Sequence, residues 1–202
     1  MAPWSPSDVI TVIGAWTLMM AIMMLPSVIP WLLAYRRNSP SSSLSEISLF
    51  GLGYILAWSA FSVAAGLTQW LMHDAALLAV VAESTSPVNG SALFILAGLF
   101  QWTSVKERCL THCQSPLGYF LSSWRPGKIG AISMGARHGL YCVGCCWALM
   151  MLAFVAGIMN ILWMLTVTVF VFVDHALLKT TIFSRLVGTG LLAWGIWTFI
   201  RV

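Results

Sequence analysis

The stretch AISMGARHGLYCVGCCWALMMLAFVA, residues 131–156, decides how the rest of the chain is read. A helix that crosses hydrocarbon needs about 20 predominantly apolar residues. This run exceeds that length, and Arg137 and His138 are its only basic side chains, with no acid among them. The whole chain follows suit. It is 59% hydrophobic and 8% charged, whereas soluble domains run at roughly 45–50% apolar and about 25% charged. Six acidic and ten basic residues cannot coat a globule of 202 residues, and the mean hydropathy of +0.89 gives the same answer from the transfer side. A soluble enzyme, a nucleic-acid-binding domain and a disordered chain are excluded. The expected fold is all-α: a polytopic transmembrane helical bundle forming one domain over 1–202.

Working outward from that segment, runs of similar length separated by charge, Pro, Ser or Asn give about six spans. They run from about Val9 to Leu33, Ile47 to Met72, Val88 to Val105, Ala131 to Ala156, Ile158 to Val173 and Leu186 to Ile200. The third has the weakest apolar core. Gly157 marks a tight turn between the fourth and fifth. Ala75 to Val81 is apolar but shorter than a span, and either extends the second helix or lies in the interface. The first run follows no basic leader and is too long and Met-rich for a removable signal peptide, so it is read as a genuine span.

Short loops rich in Lys and Arg stay in the cytoplasm. Arg36 and Arg37 follow the first span; Lys106, Arg108, Arg125, Lys128 and Arg137 follow the third; Lys179 and Arg185 follow the fifth. All nine share one side, and only Arg201 falls opposite. Both termini are therefore expected on the periplasmic or outer face of a bacterial inner membrane, with residues 106–130 as a cytoplasmic loop segment. The net charge of +4 then reflects orientation rather than an acidic partner.

Five cysteines fall in two packets. The first, Cys109-Leu110-Thr111-His112-Cys113, follows the third span. The second, His138-Gly139-Leu140-Tyr141-Cys142-Val143-Gly144-Cys145-Cys146, opens the fourth. The charge rule puts both at the cytoplasmic boundary, where thiols are kept reduced, which argues against structural disulfides. Residues three, four and seven apart share a helix face, so Cys109, His112 and Cys113 are neighbours, as are Met134, His138, Cys142 and Cys145. Thiolate, imidazole and thioether form the ligand set of soft or borderline ions, Cu(I) first and Zn(II) second. Cys145 and Cys146 point about 100° apart on a helix, which favours Cys145 over Cys146 as a ligand. Against this stands the plain alternative that Cys packs as a small hydrophobe and a membrane His bonds a carbonyl.

Met19, Met20, Met23 and Met24 form a broad thioether stripe on the first span. Thioethers favour copper over zinc or magnesium, but Met is also a flexible core filler. Met19 and Met23 are secondary candidates beside Met134. Pro26 and Pro30 are expected to bend this helix. Gly135 and Gly139 have GxxxG spacing, which lets a second helix approach closely. Asp174 and His175 close the fifth span and read as interface residues, and Trp4, Trp31, Trp70, Trp102 and Trp124 read as interfacial anchors. No phosphate loop, Ser/His/Asp set or pair of intramembrane carboxylates is present, and neither packet has the Cys-x-x-Cys-His order of covalent haem. Cys142-Val143-Gly144-Cys145 has the spacing of a redox dithiol, so an enzyme stays open, with the balance of the residues against one.

Cys109, His112-Cys113, Ser115-Pro116-Leu117, Trp124-Arg125, Met134-Gly135 and the string Arg137-His138-Gly139-x-Tyr141-Cys142-x-Gly144-Cys145-Cys146-Trp147, together with Gly157-Ile158-Met159-Asn160 and Met23-Met24-Leu25-Pro26, resemble a bacterial family of predicted metal-binding integral membrane proteins. The likeness covers nearly the whole chain. It implies a helical membrane fold and a metal site, and no particular activity.

The sequence therefore points to a membrane protein that holds Cu(I), with zinc second, through Cys109, His112, Cys113, His138, Cys142 and Cys145. It would move the ion across the bilayer or hand it to another membrane protein or a copper enzyme. Two other classes remain open on the residues alone. One is a membrane thiol-disulfide oxidoreductase using Cys142 and Cys145; the other is an accessory subunit in which Cys and Met only pack.

Overall fold

The computed structural model describes residues 4–38, 43–74, 87–156, 160–178 and 180–201. Eight helices carry them: α1 (Pro6–Asn38), α2 (Leu44–Asp74), α3 (Pro87–Phe100), α4 (Ser104–Cys113), α5 (Pro116–Ser123), α6 (Gly127–Met151), α7 (Ile161–Phe172) and α8 (Ile182–Ile200). A single helical turn, Ala153–Ala156, prolongs α6, and a π-helical turn, Val173–Leu177, prolongs α7. No strand occurs among the described residues. Residues 75–81, Gly157 and Lys179 lie outside them.

Four helical stretches are long and apolar enough to cross a membrane: Pro6–Asn38, Leu44–Leu71, Gly127–Val155 and Ile182–Ile200. Gly90–Phe100 and Ile161–Leu177 are apolar but shorter. Where about six helical spans are expected, the described residues form eight helices, because the stretch read as a loop is itself folded. The third apolar run stops at Phe100. Thr103 then takes an extended conformation and its hydroxyl accepts the Lys106 amide, starting α4 as an N-cap. Pro116 at the first turn of α5 cannot donate into a continuing helix, which separates α4 from α5. The next turn is made by Gly127, whose φ of 82° suits a residue without Cβ.

The central pair is α2 with α6. A Cβ on Gly135 would collide with the Phe50 carbonyl, one on Gly53 with that of Ile132, and one on Gly139 would stand 2.6 Å from Ala57 Cβ. The close approach expected at Gly135 and Gly139 is thus made, by α2. A second glycine-lined pair joins α3 and α8, where Gly98 and Gly188 face one another. Helix α1 lies along α2 and α7, and α4 lies along α6. Pro26 and Pro30 both remain inside α1.

Burial is sharply sided. On α1, Met19, Met20, Met23 and Met24 are buried while Leu18, Ile22, Leu25, Ile29 and Leu33 are exposed. Large apolar side chains outside and polar groups inside invert the arrangement of a water-soluble helix. Where α4, α6 and the π turn meet, Lys106, Asp174 and His175 are buried together.

Candidate metal centre

Three elements deliver sulfur and imidazole to one buried point. Cys113 comes from the last turn of α4, Cys142, Cys145 and Cys146 from the middle of α6, and His175 from the π turn. Cys113, Cys145 and His175 hold their ligand atoms within 4.8 Å of one another, and so do Cys142, Cys145 and Cys146. Cys145 belongs to both groups. Its sulfur is 3.2 Å from His175 Nε2, 3.3 Å from the Cys146 sulfur and 4.0 Å from the Cys113 sulfur. His175 Nε2 is also 3.8 Å from the Cys146 sulfur. All five cysteines are free thiols.

Two readings change here. Side chains of adjacent helical residues diverge, yet the Cys145 and Cys146 sulfurs turn toward each other, so Cys146 joins the set. Asp174 and His175 are not interface residues; both are buried. The reason is the π turn, in which the Leu178 amide bonds back five residues to the Val173 carbonyl. Such a widened turn re-aims side chains that a regular helix would send elsewhere, and π turns recur at functional sites. Gln114 secures it by donating its side-chain amide to the carbonyls of Asp174 (2.8 Å) and Leu178 (2.9 Å).

A charge pair lies beside the thiols. Lys106, read from sequence as a loop charge, is 1% exposed. Its ammonium donates to the Cys145 carbonyl at 3.0 Å and meets the Asp174 carboxylate at 3.3 Å. Ser184 of α8 donates to the same carboxylate. Burial works against the Lys106 charge, but the Cys145, Cys146 and Asp174 side chains outweigh it and hold the ammonium above the ordinary lysine range.

The remaining candidates fall elsewhere. Cys109, half-buried, packs on Gly144 of α6, whose Cβ would stand 3.1 Å from the sulfur. Met134 accepts the Arg125 amide at its sulfur, and Met19 and Met23 sit in the α1 core. His138 lies flat on Trp31, ring centres 3.7 Å apart, and faces Tyr54 at 5.3 Å. Trp31 is no interfacial anchor: it is buried, and its indole donates to the Cys113 carbonyl. Tyr54 ties this wall to the thiols, its hydroxyl 3.3 Å from the Cys142 sulfur and 3.0 Å from the Ser27 hydroxyl. His112 stacks on Tyr141 at 3.8 Å; burial and the nearby Arg137 push its imidazole down to about 4, so it is neutral at cellular pH.

A cavity of about 190 Å³ reaches the cluster, with Ser27, Pro30, Trp31, Cys113, Gln114 and His175 among its walls. A larger one, about 700 Å³, is polar and takes in Glu107, Arg108, His112 and Arg137. The smaller leaves a void against Cys113 and His175, so the cluster is not packed shut on that side.

Comparison with curated proteins and with solved structures returns no match. Residues 13–198 match the family described as copper chaperone, PpoB2, a match that takes in both cysteine packets, the π turn and nearly all of every long helix. The chain belongs to the PpoB2 copper chaperone family.

Proposed function

We propose that this protein is a copper chaperone of the bacterial inner membrane, which holds Cu(I) at the Cys113, Cys142, Cys145, Cys146 and His175 cluster and passes it to another membrane protein or a copper enzyme. The observation that carries this reading is the convergence of Cys113, Cys145 and His175, all buried, from three separate elements. Soft thiolates with one imidazole suit Cu(I) better than harder ions, and more sulfurs are present than one low-coordinate ion needs. Surplus ligands let the ion leave in steps, one sulfur released as an acceptor's ligand arrives. The family description supports the same cargo.

The membrane setting rests on four apolar helices of spanning length and on the exposed leucines and isoleucines of α1. In this reading the Arg36-Arg37 side of the bundle is cytoplasmic and both termini are periplasmic. Metal analysis of detergent-purified protein tests the function: the wild type carries copper and Cys142→Ser/Cys145→Ser carries less. Equal copper in both would end the proposal.

A further inference from the structure

His138 is 1% exposed, and neither of its ring nitrogens has a hydrogen-bond partner among the described residues. The buried Nε2 of His112 has none either. Buried polar atoms are seldom left so, and an orphaned one calls for an unseen water, an ion or a catalytic role. The two rings lie between the two features already described. His112 forms part of the wall of the larger cavity. His138 is one helical turn before Cys142 and shares its face of α6. The ring centres stand 6.3 Å apart with planes inclined by 29°. Metal–imidazole bonds of about 2.0–2.1 Å, as found for zinc, place the centres of two rings that share one ion about 6 Å apart. Two imidazoles are a competent pair for Cu(I), and weaker than a thiolate cluster.

We infer that His112 and His138 form a second metal position, a two-imidazole way station that takes the ion from the large polar cavity and hands it to the thiol cluster at Cys142. The inference rests on the thiol cluster being the copper site. It also gives the aromatic wall a role, since Trp31, Tyr54 and Tyr141 hold the two rings in place without hydrogen-bonding the nitrogens the ion needs. The smaller cavity reaches Cys113 and His175 without passing either histidine, and it is the competing route.

The test loads metal-free, reduced, full-length protein in detergent with one equivalent of Cu(I) supplied as its bicinchoninate complex, whose loss of colour gives both rate and final occupancy. His112→Phe/His138→Phe keeps rings in both stacks. It should reach wild-type occupancy at least tenfold more slowly. His112→Phe alone, at the cavity wall, should also slow loading and serves if the double variant does not fold. In a chain with Cys113, Cys142, Cys145 and Cys146 all changed to Ser, one copper with nitrogen but no sulfur neighbours should remain in X-ray absorption, and should vanish when both histidines are also replaced. Wild-type loading rates in the histidine variants overturn the inference, since the ion then uses the smaller cavity. Lower final occupancy at an unchanged rate overturns it too, because the histidines are then ligands of the thiol site. If the wild type takes up no copper, or Cys145→Ser holds it as tightly as the wild type against a Cu(I) chelator, the thiol-site reading itself has failed and the way station falls with it.

Discussion

The Cys145 sulfur and His175 Nε2 meet at 3.2 Å, a contact that joins the middle of α6 to a π turn thirty residues later. It makes Cys145 the shared member of both ligand groups. Cys145→Ser should therefore lower copper affinity at least tenfold, about 1.4 kcal/mol or more. Cys109→Ser, whose sulfur rests on Gly144 instead, should leave it within twofold. Competition against a Cu(I) chelator measures both, and equal losses would contradict the geometry.

The Lys106–Asp174 pair predicts a distinctive stability pattern. Removing one partner strands a buried charge, at a cost of about 3–5 kcal/mol, whereas an apolar replacement of both is often tolerated. Lys106→Met should strongly lower the unfolding temperature in detergent, and Lys106→Met/Asp174→Leu should recover much of the loss. A double variant as unstable as the two single losses added together would show that the pair acts through other contacts.

Helix packing gives a contrast between glycines. Gly135→Val places a side chain against the Phe50 backbone, and such overpacking typically costs about 1–3 kcal/mol or more. Gly190 has open space around it, so Gly190→Ala should be neutral or stabilising by up to about 1 kcal/mol, the difference in helix propensity. Thermal unfolding in detergent ranks the two, and a neutral Gly135→Val would mean that α2 and α6 are not in close contact.

What the sequence made legible followed from local periodicity. The spacing of Cys142 and Cys145, the placement of Cys113 one packet away, and the small face at Gly135 and Gly139 all survive into three dimensions because they need only a regular helix. The misses share a different cause. Lys106 reads as a loop charge until its partner, sixty-eight residues on, is seen. His175 and Asp174 read as the water-facing end of a span because a π turn has no clear sequence signature. Trp31 reads as an anchor because boundary tryptophans usually are. The segment between Ser104 and Ser123 reads as a loop because its helices are short and only their caps, Thr103 and Pro116, mark them. A clue to His175 was the Asp-His pair at the end of an apolar run, where ionisable groups are costly and tend to be functional.

A redox role for Cys142 and Cys145 makes an opposite prediction in cells. Acid-quenched thiol trapping should find all five cysteines reduced, with Cys142, Cys145 and Cys146 slow to alkylate until a copper chelator is added. A standing Cys142–Cys145 disulfide fraction would move the protein to the thiol oxidoreductases.

The account stands on copper being held by sulfur and one imidazole at the meeting point of α4, α6 and the π turn. Copper K-edge X-ray absorption of the protein loaded with one equivalent of Cu(I) examines that directly. It should show Cu(I) with sulfur as the dominant neighbour and a single nitrogen contribution that disappears in His175→Ala. A spectrum made only of nitrogen and oxygen neighbours, unchanged by His175→Ala, would contradict it.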